Sequence, residues 1–283
     1  MQRVTITQLL ERKARGAKIS MLTAYDCPMA RLVDDAGVDV VLVGDSLGMV
    51  VLGYETTAPV TMDEMIHHAK AARRGVRRAL FVGDMPFLSF RSTREEAVKN
   101  AGRFMQEAGC DAVKVEWKPD IEDTAKAIID AGIPVMGHVG LTPQTASSSG
   151  GFGTRGKDAE SAAQIITQAL ALEEVGCFAM VLECVPDVVA HDITRRLHIP
   201  TIGIGSGPHC DGQVLVTYDL LGLFERFRPK FVKRYVNLAD TIRHAAAAYI
   251  QDVTTGAFPG PEHTVTMAPE ELAKLKETFG LSS

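Results

Sequence analysis

Residues 173–183 read EEVGCFAMVLE. An acidic helix end closes on a glycine and an apolar run follows. Glu183 then stands where a buried strand should still be apolar. Leaving a lone carboxylate in a core costs several kcal/mol or forces it to stay protonated, so the strand must end at a place where charge has a use. The same joint recurs in DDAGVDVVLVGD (34–45), QEAGCDAVKVE (106–116) and IDAGIPVMGH (129–138). Each time an acidic residue, a small residue and a glycine (Gly37, Gly109, Gly132, Gly176) precede a β-branched-rich run that ends on a polar group. Glycine fits the left-handed position that closes a helix. The run after it reads as a strand buried on both faces.

Helices fill the intervals. Thr61–Glu64 and Thr93–Glu96 have capping-box spacing, and Asp158 heads a long amphipathic segment. Further strands are expected at 18–26, 79–84, 199–207 and 229–235, which makes eight. Eight strands alternating with helices imply right-handed βαβ units and a parallel sheet. The fold expected is a (β/α)8 TIM barrel. A doubly wound open sheet is the alternative, but TAYDCPMA (23–30) after the first strand is no phosphate loop. The barrel is assigned residues 1–262. Residues 263–283 form a C-terminal extension, with a short amphipathic helix entered at Pro269.

The composition bounds the function. Hydrophobic residues make up 46% of the 283, enough for a large core, and the formal net charge is −5. That balance argues against a nucleic-acid surface. No apolar run is long enough for a membrane span, and the first residues lack a signal-peptide core. The five cysteines are odd in number and contain no CxxC pair. They read as free thiols of a cytoplasmic protein rather than disulfides or a zinc site.

In a barrel the strand ends converge on one mouth. That would gather Asp45, Asp84, Lys114, Glu116, His138 and Glu183 into one ring. Lys114 and Glu116, two apart, point the same way. Several carboxylates without a thiolate or a histidine pair suit a hard cation such as Mg²⁺, which polarises a carbonyl and stabilises an enolate. Lys114 would anchor a substrate carboxylate, or simply pair with Glu116 or a neighbouring acid. His138 would move a proton, or serve as a hydrogen-bonded imidazole. The Gly/Ser segment 142–158 reads as a lid or a surface loop. GIGSGPHCDGQ (203–213) reads as an anion cradle or as tight barrel packing. Of His67 and His68, one should be exposed and one packed.

The longer motifs are MLTAYD (21–26), the run 41–75, DMPF (84–87), VKVE (113–116), GHVGLTPQ (137–144), VLECVP (181–186) and IGIGSG followed by DGQVLV (202–216). On these the chain resembles the 3-methyl-2-oxobutanoate (ketopantoate) hydroxymethyltransferase family over about residues 3–262. The resemblance implies a barrel of the phosphoenolpyruvate/pyruvate type. It implies transfer of a hydroxymethyl group from 5,10-methylenetetrahydrofolate to 3-methyl-2-oxobutanoate, giving 2-dehydropantoate for pantothenate and coenzyme A. It also implies Mg²⁺ and a homo-oligomer, a decamer. By resemblance the metal ligands are Asp45, Asp84 and Glu116. The substrate contacts are Asp45, Ser46, Asp84, Lys114 and His138, and the proton acceptor is Glu183. The chain departs from the family pattern after Glu116, where WKPD (117–120) replaces glycines and bears on whether Glu116 reaches a metal. A lyase of the same barrel type acting on a 2-oxo or phosphono acid, and a barrel that only binds a ligand, are the competing readings. Dependence on folate and on metal separates them.

Overall fold

The computed structural model describes residues 3–146, 151 and 153–280. Eight strands, β1 (Ile19–Thr23), β2 (Val40–Val43), β3 (Leu80–Asp84), β4 (Ala112–Glu116), β5 (Val135–Gly140), β6 (Ala179–Glu183), β7 (Thr201–Ile204) and β8 (Gly212–Leu215), close into a parallel barrel in sequence order. The helices are α1 (Ile6–Ala14), α2 (Cys27–Asp35), α3 (Leu47–Val50), α4 (Met62–Arg73), α5 (Arg94–Gln106), α6 (Ile121–Asp130), α7 (Ala159–Glu174), α8 (Asp187–Arg196), α9 (Thr217–Leu220), α10 (Leu238–Thr255) and α11 (Pro269–Phe279). The expected (β/α)8 barrel is the observed fold. No helix among the described residues is long and apolar enough to cross a membrane.

The joints behave as their chemistry dictates. Gly37, Gly109, Gly132 and Gly176 all take positive φ, between 65° and 102°. Thr61 and Glu64 form the full reciprocal box at the start of α4. At α5 the box is half made. Thr93 accepts from the Glu96 N–H, while the Glu96 carboxylate turns to the Ser92 hydroxyl. Asp158 caps α7 by accepting from Ser161 N–H. His67 is exposed, and His68 is half-buried with Nδ1 2.8 Å from the Tyr25 carbonyl oxygen.

Two apolar layers result from the period-two alternation of the strands. The inner layer includes Ile19, Met21, Val40, Leu42, Leu80, Val82 and Met136, with Val4 and Leu9 closing the N-terminal end. The outer layer packs Val41, Val43, Phe81, Val113 and Val135 against Phe104, Ile128, Leu172 and other helix residues. Each such fully buried side chain contributes about 1.5–3 kcal/mol.

The eighth strand differs from expectation. Residues 229–235 form no strand, and β8 lies in 212–215, overlapping the end of the segment 203–213 read as an anion cradle or tight barrel packing. Pro229 brings no N–H for a ladder. Gly212, by contrast, allows β1 to approach so closely that a Cβ there would sit 2.4 Å from the Ile19 carbonyl. Gly212 of that segment therefore serves barrel closure. The chain divides into two compact units, 1–236 and 237–283. Tyr249 of α10 stacks edge-on against Phe258, and Phe258 meets His263, which ties the helix to the tail that follows it. Of the segment 142–158 read as a lid or a surface loop, residues 147–150 and 152 lie outside the described residues.

Candidate active site

Every ring residue lines the C-terminal mouth: Asp84, Lys114, Glu116, His138 and Glu183 sit in phase with the inner layer, whereas Asp45 has the outer-layer parity of Val41 and Val43 and reaches the cavity from the turn after β2. Asp45 follows β2, Asp84 ends β3, Lys114 and Glu116 lie on β4, His138 on β5, and Glu183 ends β6. Register sets Asp84 beside Lys114 and Glu116 beside His138. Asp45, Asp84, Lys114, Glu116 and His138 are all buried, and the Glu183 side chain is 16% exposed. They line a cavity of about 300 Å³ with mostly apolar walls.

The polar contacts form one chain. Lys114 Nζ lies 2.7 Å from Asp84 Oδ1 and 3.3 Å from His138 Nδ1. Ammonium is only a donor, so Nδ1 must accept. The neutral imidazole then carries its hydrogen on Nε2, which lies 3.1 Å from Glu183 Oε2. Asp45 N–H donates to Asp84 Oδ2 over 3.2 Å. Ser46 Oγ pairs with the buried Tyr25 hydroxyl at 2.9 Å.

Burial governs the protonation of this ring. It pushes the Glu183 carboxyl up to about 7, with Lys114 pulling the other way. Asp84 is also raised to about 7, by burial and by Asp45 against the pull of Lys114. Burial and the charge of Asp45 push Glu116 well above the carboxylate range. Burial and Lys114 depress His138. Burial alone would lower Lys114, but Asp84, Glu116 and Asp45 outweigh it and hold the ammonium charged.

Two residues of the site have no separate signal in the sequence. Gln144 donates its side-chain N–H to Asp45 Oδ2 (3.0 Å) and to the Met85 carbonyl (2.9 Å), and its backbone N–H to Glu116 Oε2 (3.3 Å). It thereby bridges two carboxylates that repel one another. It lies in the quoted motif GHVGLTPQ, but the partner 99 residues away is visible only in three dimensions. Arg91, flanked by Phe87 and Phe90, brings Nη2 to 3.7 Å from Glu116 Oε2 on the loop after β3. Nothing in its local sequence marks it.

The residues suit a divalent cation on two observations. Asp45, Asp84, Glu116 and Glu183 converge on one buried cavity, and burial, with the charge of Asp45 on two of them, raises Asp84, Glu116 and Glu183, so a bound cation would let these carboxyls ionise together. Asp84 Oδ1 has no hydrogen bond beside its ion pair with Lys114. Among the described residues no three His, Cys, Asp or Glu side chains converge into a ready ligand cage. Asp45 and Asp84 adjoin, whereas Glu116 is engaged by Gln144 and Arg91. Mg²⁺ commonly takes one or two carboxylates and fills its other positions with water or substrate oxygens.

A closed parallel barrel with buried acid–base groups gathered at its C-terminal mouth is built as a (β/α)8-barrel enzyme. Over residues 3–261 the chain matches, and it belongs to, the ketopantoate hydroxymethyltransferase family. The 3-methyl-2-oxobutanoate hydroxymethyltransferase of Syntrophomonas wolfei subsp. wolfei is 54% identical over 275 residues, covering 97% of this chain and 100% of that protein. The protein of the same name from Moorella thermoacetica is 56% identical over 262 residues, covering 93% and 97%. The barrel also superposes on phosphonopyruvate hydrolase, solved in complex with oxalate and Mg²⁺. There the TM-score is 0.60 at 12% identity, with 99% of each chain covered, a likeness of fold.

Proposed function

We propose that the chain transfers a hydroxymethyl group from 5,10-methylenetetrahydrofolate to 3-methyl-2-oxobutanoate, giving 2-dehydropantoate. Family membership supports the substrate pair. The observation that carries the chemistry is Glu183, a buried carboxyl raised to about 7 in the same cavity as the lysine ammonium. A base of that strength is matched to proton removal at neutral pH.

Glu183 takes the proton from C3 of the 2-oxo acid. The electron pair left behind delocalises towards the C2 oxygen. Water cleaves the methylene carbon from the folate nitrogens, releasing tetrahydrofolate and a one-carbon unit at the formaldehyde level. C3 adds to that carbon as its C=O π bond opens, and the resulting oxygen takes the proton held by Glu183 to become the hydroxyl. Lys114, Ser46 and Asp84 contact the substrate, with Lys114 opposite its carboxylate. His138 accepts from Lys114 at Nδ1, which leaves its hydrogen on Nε2, 3.1 Å from the Glu183 carboxylate and without a hydrogen-bond partner. Asp45 and Asp84 would hold Mg²⁺, with Glu116 beside them engaged by Gln144 and Arg91. When bound, the ion supplies Lewis-acid polarisation of the 2-oxo acid. The fold relative solved with oxalate and Mg²⁺ supports that reading.

The working form is a cytoplasmic homo-oligomer, a decamer. Exposed apolar side chains support assembly, among them Leu32 and Val188 in the first unit and Ile242, Ile250 and Val253 on α10. The five cysteines are free thiols.

The test is exchange of the C3 proton of 3-methyl-2-oxobutanoate in D₂O, followed by NMR, with Mg²⁺ or with EDTA and with or without tetrahydrofolate. Exchange that needs Mg²⁺ is the expected result. No exchange under any of these conditions would refute the substrate assignment.

A further inference from the structure

The mouth has two unlike halves. Following the barrel order, the ends of β2 to β6 carry every group of the ring just described. The ends of β7, β8 and β1 bring Ile204, Val214, Val216 and Thr23 to the same cavity. Beyond β8 the wall is completed by Phe224, Phe227 and Phe231, and by one carboxylate, Asp219. Phe224 is buried, and Phe227 crosses it edge-on at 5.2 Å. Phe227 and Phe231 remain 48% and 36% exposed, so aromatic surface is left open at the cavity.

Asp219 has no role in the polar ring. Among the described residues its carboxylate accepts no hydrogen bond and makes no ion pair. Burial raises it to about 6, with Arg234 pulling it down. It is therefore a largely ionised, partly desolvated acceptor with both oxygens unused, beside open aromatic surface. Carboxylates in such places recognise paired N–H donors on one edge of a planar ring. The segment that carries the phenylalanines, FERFRPKFVKRY (224–235), interleaves them with Arg226, Arg228, Lys230, Lys233 and Arg234. Arg226, Arg228, Lys230 and Lys233 are exposed. Lys230 has no ion-pair partner among the described residues, and Lys233 lies over the Tyr235 ring at 4.7 Å. Aromatic surface in the cavity, carried on a segment whose Arg226, Arg228, Lys230 and Lys233 are exposed, matches a ligand that is a flat heterocycle at one end and an anion at the other.

We propose that this apolar half is the seat of the reduced pterin of the folate cosubstrate. Asp219 accepts from the amino and lactam N–H groups of its pyrimidine edge, Phe227 and Phe231 hold the ring, and Lys230 and Lys233 meet the glutamate tail. The assignment rests on the proposed function and adds to it where the second substrate binds. It also explains why the mouth is divided. The 2-oxo acid needs charge and occupies the β2–β6 side, and the one-carbon donor must lie within bonding reach across a shared, water-poor cavity.

The experiment is calorimetric titration, under anaerobic conditions, of tetrahydrofolate, its triglutamate and 6-methyltetrahydropterin into the wild type, Asp219→Asn, Phe227→Ala and the double variant Lys230→Glu/Lys233→Glu. C3 exchange is measured on each as a readout of the polar half. Asp219→Asn is nearly isosteric and should weaken tetrahydrofolate by about 10- to 100-fold, far more than it changes exchange. The double variant should lose triglutamate affinity but keep the tail-less pterin. Wild-type affinity in both Asp219→Asn and Phe227→Ala would overturn the assignment. So would losses of folate affinity and exchange in equal proportion. If the wild type itself ignores tetrahydrofolate, the functional reading falls first. If only the variants behave like wild type, this assignment falls alone.

Discussion

At the scale of single residues, the site is governed by what burial does to charge. The folded chain prefers the Glu183 carboxyl neutral, since burial raises it to about 7, whereas an unfolded Glu titrates near ~4.3. The sign follows. Below about 4.3 its burial has no electrostatic cost, the cost grows as pH rises to about 7, and above that it is constant. Glu183→Gln removes the cost together with the base. In EDTA the variant should match wild-type stability near pH 4 and exceed it at pH 8 by about 3–4 kcal/mol at most, as read by denaturant melts. Its C3 exchange should fall by about 10²- to 10⁴-fold. Wild-type exchange should rise with pH through a midpoint near 7, the value to which burial takes Glu183. An exchange rate independent of Glu183 would remove it as the proton acceptor.

At the scale of elements, the repeated VGD of β2 and β3 has two different causes. The Gly83 Cα faces α5, and a Cβ there would meet the Phe104 ring at 2.3 Å. After β2, a Cβ on Gly44 would crowd Ser46 Oγ at 2.9 Å. Gly83→Ala should destabilise the chain by about 1–3 kcal/mol through overpacking. Phe104→Leu, harmful alone, should restore part of that loss in the double variant, and a double-mutant cycle reads the coupling. Gly44→Ala should act on substrate affinity more than on stability, seen as a rise in KM for the 2-oxo acid. The strand ends were legible from sequence because each joint repeats a local rule. The eighth strand was not, because Gly212–Leu215 hides in a glycine-rich turn while 229–235 has the composition of a strand. Once β8 is at 212–215, Asp219 becomes a residue just beyond a strand end, which is the signal that would have singled it out.

At the scale of the whole molecule, charge balance links the site to stability. A cation bound by the folded chain alone stabilises it by mass action, about 2.7 kcal/mol at a hundredfold excess over Kd. Mg²⁺ should therefore raise the melting temperature and EDTA should reverse the gain, both without substrate. Asp84→Asn should abolish that response, and an unchanged response would move the ion elsewhere. Light scattering on the eluting protein should give an assembly near ten times the 30.5 kDa chain mass. A monomer would contradict the proposed decamer.

Periodicity and helix-closing glycines specify this barrel from sequence alone, since each depends only on neighbours along the chain. The inward phase of Asp84, Lys114, Glu116, His138 and Glu183 follows from the same alternation, whereas Asp45, of the outer parity, is brought to the cavity by the turn after β2. Tertiary structure decided what those residues do to one another. Gln144 bridging Asp45 and Glu116, Arg91 drawing Glu116 aside, and Asp219 standing unpaired among phenylalanines depend on distances between segments far apart in sequence. Electrostatics in a buried space is set by such distances and by the loss of water, neither of which is written in the local order of residues.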